Sequence, residues 1–208
     1  MHTIANHPLV AHRVTLMRDR STPSNLFRLL VGEITSYLAF MALADLRLKT
    51  VPVTTPVAET QGRLIDERVV IVPILRAGLG MLNAMLDVLP DATVGVLGMR
   101  RDEKTAEPIP YYANVPPAKD DALALVLDPM LATGGSACDA VAQLKRLGYS
   151  RIKFLNLVSA PEGLARFERE HPDVPVFSGV LDERLNENFY IVPGLGDAGD
   201  RIFGTLGA

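Results

Sequence analysis

Short runs of consecutive apolar residues recur along the chain. Residues 69–75 (VVIVPIL) and 122–127 (ALALVL) show no alternation with polar residues. Such runs are typical of strands that are buried on both faces in the middle of a parallel sheet. Further strands are predicted over residues 93–99, 152–158 and 174–180.

Between these strands, apolar residues recur at three- and four-residue spacing, which predicts amphipathic helices. Thr22 and Pro23 are the predicted N-cap and first residue of a long helix that ends near Leu46. A second helix is predicted to open at Ser136 and to stop before Gly148, which stands where a C′ glycine is expected. Helices are also expected over residues 81–88 and 161–170.

The alternation of strands and helices predicts an α/β fold, with a central parallel sheet and helices on both of its faces. Two segments depart from this pattern. Residues 51–65 contain Pro52 and Pro56, which favour an edge hairpin over a central strand. Residues 100–117 are polar, rich in proline and long for a connection, which favours a lid over a simple surface loop.

The loop between the 122–127 strand and its helix, residues 132–136 (ATGGS), has the character of a phosphate cradle. Two adjacent glycines let several backbone N–H groups point at one spot, and the following helix N-terminus adds its own unpaired N–H groups. Thr133 and Ser136 add hydroxyl donors. The spacing matches neither the P-loop of ATPases nor the dinucleotide-binding glycine motif.

Ligands of parallel α/β sheets bind at the carboxyl ends of the strands. Arg76, Arg101 and Asp128 each follow a predicted strand, so this rule brings the three side chains together although they are distant in sequence. The tail supplies a further candidate, because residues 193–200 (PGLGDAGD) are rich in glycine and are followed by an apolar anchor over residues 202–204. A glycine-rich backbone held in one shape can approach a flat ligand closely.

Composition excludes several classes of protein. A length of 208 residues with 48% apolar residues predicts one globular domain over residues 1–208. The net charge of −3 argues against a non-specific nucleic-acid binder, and no apolar run reaches the length of a membrane span. The single cysteine, Cys138, and the absence of a signal-peptide core lead us to expect a cytoplasmic protein. The four histidines are interpreted as structural or solvent-facing.

Residues 126–137 resemble the motif by which type I phosphoribosyltransferases bind 5-phospho-α-D-ribose 1-diphosphate (PRPP). The whole chain more specifically resembles the uracil phosphoribosyltransferases, because several of their motifs occur in order and at matching spacing. These segments are 7–10 (HPLV), 73–78 (PILRAG), 128–136 (DPMLATGGS), 160–163 (APEG) and 193–200 (PGLGDAGD).

The resemblance implies a glycosyltransferase that converts uracil and PRPP to UMP and diphosphate in pyrimidine salvage. It implies catalytic roles for Arg76, Arg101, Asp128 and Asp197, and uracil recognition by Ile191 and by the backbone of Gly196, Asp197 and Ala198. Mg²⁺ is expected to bind through PRPP, with Asp197 as a possible protein ligand. The implied PRPP-binding residues are Arg76, Arg101, Asp128, Pro129, Met130, Leu131, Ala132, Thr133, Gly134, Gly135, Ser136 and Asp197.

The resemblance also implies a homodimer or a higher homo-oligomer, and GTP as an allosteric activator for which no residues are assigned. The expected fold carries an N-terminal helical arm over about residues 1–50 and a base-binding loop over about residues 188–208. Two departures stand out: Pro129 replaces the second acid that many type I enzymes carry, and Arg100 adjoins Arg101 where the family has one arginine.

Three alternatives stay open from the sequence alone. One is an enzyme for another base, such as a purine or orotate, which the tail loop would distinguish. Another is a regulator with this fold that binds RNA or DNA, which would need a basic face. The third is a related protein with weak catalytic activity.

Overall fold

The computed structural model describes residues 1–101 and 108–205 of the chain, so the middle of the predicted lid lies outside it. The strands are β1 His2–Ile4, β2 Leu48–Thr54, β3 Glu59–Ile65, β4 Val69–Leu75, β5 Thr93–Val94, β6 Val96–Arg101, β7 Pro108–Asn114, β8 Leu123–Leu127, β9 Met130–Leu131, β10 Arg151–Ser159, β11 Val176–Leu181, β12 Arg184–Leu185 and β13 Ile191–Val192. The helices are α1 Pro8–Arg18, α2 Ser24–Ala42, α3 Leu79–Val88, α4 Gly135–Arg146, α5 Pro161–Glu170 and α6 Ala198–Phe203.

The central sheet has the strand order β1-β11-β10-β8-β4-β6-β7. Its strands pair in parallel from β1 to β6, and β7 joins the end antiparallel to β6. Every residue of β8 is buried, as expected for a strand covered on both faces. The α/β class and the parallel sheet expected of type I phosphoribosyltransferases are confirmed.

Helices cover both faces of the sheet. On one face α1, α2, α3 and α6 surround a core that includes Phe27, Ile34 and Met81, and on the other α4 and α5 bury Phe154 against Phe167. The two phenylalanine rings lie 5.2 Å apart between centroids. Within residues 1–101 and 108–205, none of the helices combines the length and apolar character that a membrane span requires.

The N-terminal region differs from the prediction in two ways. Helix α1 was not expected, because its apolar spacing is weak; its N-terminus is capped by His7, whose Nδ1 accepts a hydrogen bond from the Leu9 N–H at 3.2 Å. The predicted N-cap of α2 is wrong by one residue, since the cap is Pro23 and the Thr22 hydroxyl instead donates to the Leu16 carbonyl.

Two ends of helices depart from their expected positions for local reasons. Helix α2 ends at Ala42 rather than near residue 46. At this end of the helix, the Lys153 ammonium donates to the Ala42 carbonyl at 2.7 Å and pairs with Asp45. Helix α4 begins at Gly135, one residue early, because Gly134 already makes the turn with a φ of 80°.

The predicted hairpin over residues 51–65 is confirmed and extends over β2 and β3. Within the described residues it forms a two-stranded sheet of its own, apart from the central one. We call it the β2–β3 hairpin. Its apolar side chains are exposed, with Val57 at 94%, Leu64 at 55% and Ile65 at 46% of their full area.

Candidate active site

The carboxyl edge of β4 and β8 brings Arg76 and Asp128 to one place. The two strands are neighbours with Pro73 opposite Leu127, and each residue of interest follows shortly after its strand. The turn after β4 lies directly against the end of β8, because a Cβ on Gly78 would stand 2.4 Å from the Leu127 carbonyl oxygen. The predicted meeting of these two loops is therefore observed.

Arg101 ends β6, which pairs with β4 on the side opposite β8. Leu75 of β4 stands opposite Gly98 of β6, so the backbone of Arg101 reaches the same carboxyl edge as Arg76. The side chains of Arg100 and Arg101 lie outside the described part of the chain. Their expected contact with diphosphate, and the choice between them, stay predictions.

The backbone after β8 is held in place by β10. The Asp128 N–H donates to the Leu155 carbonyl at 3.2 Å, and the Pro129 carbonyl accepts from the N–H groups of Leu157 and Val158. Strand β9 then pairs in parallel with β10. Pro129 thus contributes its carbonyl to the support that positions the half-buried Asp128.

The predicted phosphate cradle forms a small depression where β8 leads through a loop into α4. Gly134 adopts the left-handed region, with a φ of 80°, and its backbone approaches α5 so closely that a Cβ would stand 2.8 Å from the Gly163 carbonyl oxygen. The hydroxyl-bearing residues Thr133 and Ser136 are half-buried. The depression is lined by Asp128, Met130, Leu131, Ala132, Thr133, Gly134, Gly135, Ser136 and Ala137.

Arg76 connects the loop after β4 to the tail of the chain. Its guanidinium lies 3.3 Å from the Asp200 carboxylate and 5.9 Å from the centre of the Phe203 ring. The Arg76 side chain is 58% exposed, so this ion pair is solvent-screened and weak. Asp200 was not singled out in the sequence, because nothing in the pattern relates it to an arginine 124 positions away.

The tail loop has a fixed shape, as predicted. Asp197 caps α6 by accepting a hydrogen bond from the Asp200 N–H at 2.9 Å, and Arg28 donates to the Ile202 carbonyl at 2.8 Å. Of the anchor predicted over residues 202–204, Ile202 is buried as expected, whereas Phe203 is 40% exposed, so the prediction is wrong for Phe203.

The residues expected to contact the base differ in their exposure to solvent. Ile191 and Ala198 bury their side chains in the core, whereas Gly196 and Asp197 are exposed. Gly196 has a φ of 79°, and no described atom lies within 4 Å of the place where its Cβ would stand. The side of Gly196 on which a side chain would stand is therefore open.

Cys138, Glu170 and His171 are the one group of metal-binding side chains that come close together in the described residues, and their contacts indicate a structural role. Burial raises the pKa of the Cys138 thiol to about 12, so a thiolate nucleophile is not available at neutral pH. The His171 ring is engaged at both nitrogens, with the Cys138 carbonyl at 2.9 Å and the Lys145 ammonium at 3.3 Å. The structural interpretation of Cys138 and of this histidine is supported.

Sequence reasoning missed three side chains that hold the tail loop from beneath, namely Arg18, Asp182 and Arg201. Asp182 and Arg201 are buried and charged, at 8% and 9% exposure, and each is satisfied by hydrogen bonds. A charged residue two positions after a predicted strand was the available signal for Asp182. Its partner could not be inferred, since Arg18 lies on the unpredicted α1.

Comparison with known proteins matches the whole chain to one family. The family model described as uracil phosphoribosyltransferase matches residues 4–205. The chain is 54% identical over 202 residues to the uracil phosphoribosyltransferase of Roseiflexus sp. (strain RS-1), and 50% identical over 202 residues to that of Acholeplasma laidlawii, covering 97% of each chain in both comparisons. A solved structure of a protein from Aquifex aeolicus superimposes with a TM-score of 0.95 at 38% identity and 100% coverage of both chains.

Proposed function

Because the chain belongs to the uracil phosphoribosyltransferase family, we propose that its two substrates bind side by side at the carboxyl edge of the sheet. The reaction is the transfer of the phosphoribosyl group of PRPP to uracil, which gives UMP and diphosphate in pyrimidine salvage. PRPP occupies the 128–136 loop and uracil the 191–198 loop. The observation that carries this division is the 3.3 Å contact between Arg76 and Asp200, because it joins the loop after β4, which packs against the end of β8, to the tail.

The chemistry requires positioning and charge stabilisation more than a protein nucleophile. The bond from ribose C1′ to the diphosphate oxygen breaks, the bond from C1′ to uracil N1 forms, and the N1 proton leaves. Positive charge develops on the ribose ring and negative charge on the departing diphosphate. Aligned reactants and preorganised donors lower such a barrier.

Each part of the PRPP loop suits one part of PRPP. The N–H groups of the Gly134 turn and of the first turn of α4, with the hydroxyls of Thr133 and Ser136, hold the 5′-phosphate. The Asp128 carboxylate, positioned by β10, accepts hydrogen bonds from the ribose hydroxyls. Arg76 and Arg101, which lie at the carboxyl ends of the neighbouring strands β4 and β6, neutralise the diphosphate.

We propose that Mg²⁺ binds mainly through the substrate. The carboxylates of Asp128 and Asp197 are hard oxygen donors of the kind that Mg²⁺ prefers, and the described residues of this edge supply no group of three acids around one point. Such a donor set suits an ion carried by phosphate oxygens with few protein ligands. When bound, Mg²⁺ supplies charge neutralisation at the diphosphate.

Uracil recognition is assigned to backbone groups. Uracil presents two carbonyl acceptors on either side of an N3–H donor, and we assign its recognition to backbone N–H and C=O groups of the exposed residues Gly196 and Asp197. The Asp197 carbonyl also accepts a hydrogen bond from the Arg201 N–H at 3.1 Å. Cytosine reverses the pattern at N3 and C4, which leaves buried groups unpaired, and such mismatches discriminate strongly. We assign to Asp197 a contact with PRPP or its metal and assistance in the loss of the N1 proton.

The function is tested by turnover with a panel of bases. Purified protein with Mg²⁺, PRPP and labelled uracil is expected to form UMP and diphosphate in equal amounts. Cytosine and hypoxanthine are expected to react at least about 100-fold more slowly, since each leaves backbone groups of the tail loop unpaired. Orotate has the same carbonyl and N3–H pattern as uracil, so a slower reaction with orotate is expected only from its added C6 carboxylate. Turnover of another base with none of uracil would contradict the specificity. Addition of GTP in the same assay tests the proposed activation, which predicts a higher rate.

We propose that the β2–β3 hairpin contacts a second copy of the chain. An isolated two-stranded hairpin is marginally stable, yet this one exposes Val57, Leu64 and Ile65 to solvent. Helix α2 exposes Phe40 at 72% as a further apolar contact. Light scattering is expected to report a mass of at least two copies of the 22.6 kDa chain, and a mass of one copy would contradict the proposal.

A further inference from the structure

One residue of the tail loop, Gly194, has both of its backbone polar groups held by charged side chains. Its N–H donates to the Asp182 carboxylate at 2.9 Å, and its carbonyl accepts from the Arg18 guanidinium at 2.8 Å. The same guanidinium makes a two-pronged contact with both oxygens of Asp182. Gly194 is therefore held in a ring of charge-assisted hydrogen bonds, which are stronger and more directional than neutral ones.

The ring rests on rigid parts of the fold. The Asp182 N–H donates to the Ser159 carbonyl at 2.9 Å, at the end of β10, and Arg18 is the last residue of α1. The Asp182 side chain is only 3% exposed and that of Arg18 is 23% exposed. Burial of the Asp182 carboxylate and partial burial of the Arg18 guanidinium weaken the competition from water and strengthen each hydrogen bond to Gly194.

Arg201 connects Leu195, the next residue of the loop, to the C-terminus of α1. Its guanidinium donates to the carbonyls of Leu195, Met17 and Asp19 at 2.6–2.9 Å and stacks 4.3 Å from the centre of the Phe27 ring. The last carbonyls of a helix lack partners within the helix and carry partial negative charge, so a buried cation there is favourable. The C-terminus of α1 thus supports the tail loop.

We infer that Arg18 and Asp182 are positioning residues for base recognition, an inference that rests on the proposed binding of uracil at residues 191–198. They fix Gly194 two residues before the exposed Gly196, and so set the direction of the N–H and C=O groups that read the base. Neither side chain contacts the base itself. Loosening the ring lowers affinity and selectivity for uracil and leaves the PRPP loop, which β10 and α5 support, unchanged.

Arg18→Lys tests the inference, because lysine keeps the charge but cannot hold both oxygens of Asp182 and the Gly194 carbonyl in one plane. The KM for uracil is expected to rise about tenfold, as for the loss of a charge-assisted hydrogen bond. The KM for PRPP is expected to change much less, because Asp197 is the one residue of the tail loop assigned to PRPP. The ratio of uracil to cytosine turnover is expected to fall.

Arg13→Lys is the matched control. Arg13 lies on the same helix and pairs with Glu33 of α2, away from the tail loop. This variant is expected to keep both KM values. Equal increases in the two KM values of Arg18→Lys, or no increase in either, would overturn the inference.

A second variant and a second measurement cover the case in which Arg18→Lys does not fold. Asp182→Asn keeps the shape and an acceptor for Gly194 but weakens the contact with Arg18. Hydrogen exchange of the amides in residues 191–203 is expected to become at least about tenfold faster in this variant and unchanged in Arg13→Lys. Unchanged exchange would overturn the inference. Exchange needs no substrate, so failure of wild-type protein to use uracil would count against the proposed function alone.

Discussion

Turnover of uracil falls by about 10²–10³-fold when Arg76 is replaced by alanine, the effect expected for the loss of one preorganised charge-stabilising donor. The Arg76 guanidinium is 58% exposed at the carboxyl edge, where the departing diphosphate is assigned. The fold is expected to survive, because Asp200 keeps the hydrogen bond from the Thr205 hydroxyl at 2.6 Å. Steady-state kinetics with uracil and PRPP measure the loss.

Arg169→Ala provides the control for this variant. Arg169 is 69% exposed and its ion pair with Glu170 is 3.3 Å long, the same length as the pair between Arg76 and Asp200. It lies on α5, and its replacement is expected to leave the kinetic constants unchanged. Near-normal turnover by Arg76→Ala would remove Arg76 from the site.

The second large effect is expected for Gly134→Ala, with a loss of about 100-fold or more in kcat/KM for PRPP. A side chain at a φ of 80° is strained, and the new Cβ would stand 2.8 Å from the Gly163 carbonyl oxygen, so the cradle must move. A displacement of about 1 Å in a positioning loop can cost about 10²-fold in rate. The kinetic constants and the thermal unfolding midpoint are both measured.

Gly148→Ala separates strain from position. Gly148 also has a positive φ, 92°, but a Cβ there would lie 3.6 Å from Ala118, an ordinary contact. This variant is expected to lose about 1–2 kcal/mol of stability through backbone strain alone and to keep its kinetic constants. If both variants had the same kinetic constants as wild type, the cradle would not be the phosphate site.

Much of the fold could be predicted because the strands of a parallel sheet are buried on both faces. The runs around Val72 and Leu125 have no polar face to obscure them, and the strand-end rule then correctly joined Arg76 to Asp128. A strand buried on both faces is therefore recognisable in the sequence as an uninterrupted apolar run.

The features that were missed depend on contacts between distant segments. Helix α1 has weak apolar periodicity and is stabilised by packing against α2 and by the His7 cap, neither of which appears in its spacing. Arg18 and Asp182 stand 164 positions apart. The sequence does not show whether an arginine is exposed or buried. The exposure of Arg76 and the burial of Arg201 are therefore known only from the folded structure.

A crystal structure of the protein with UMP tests the central claim most directly, since UMP contains both halves of the proposed arrangement. The account predicts the 5′-phosphate against the backbone N–H groups of residues 133–136 and the ribose hydroxyls at Asp128. It predicts the uracil ring against the backbone of residues 196–198. A base bound away from the tail loop, or a phosphate bound outside the cradle, would contradict the account.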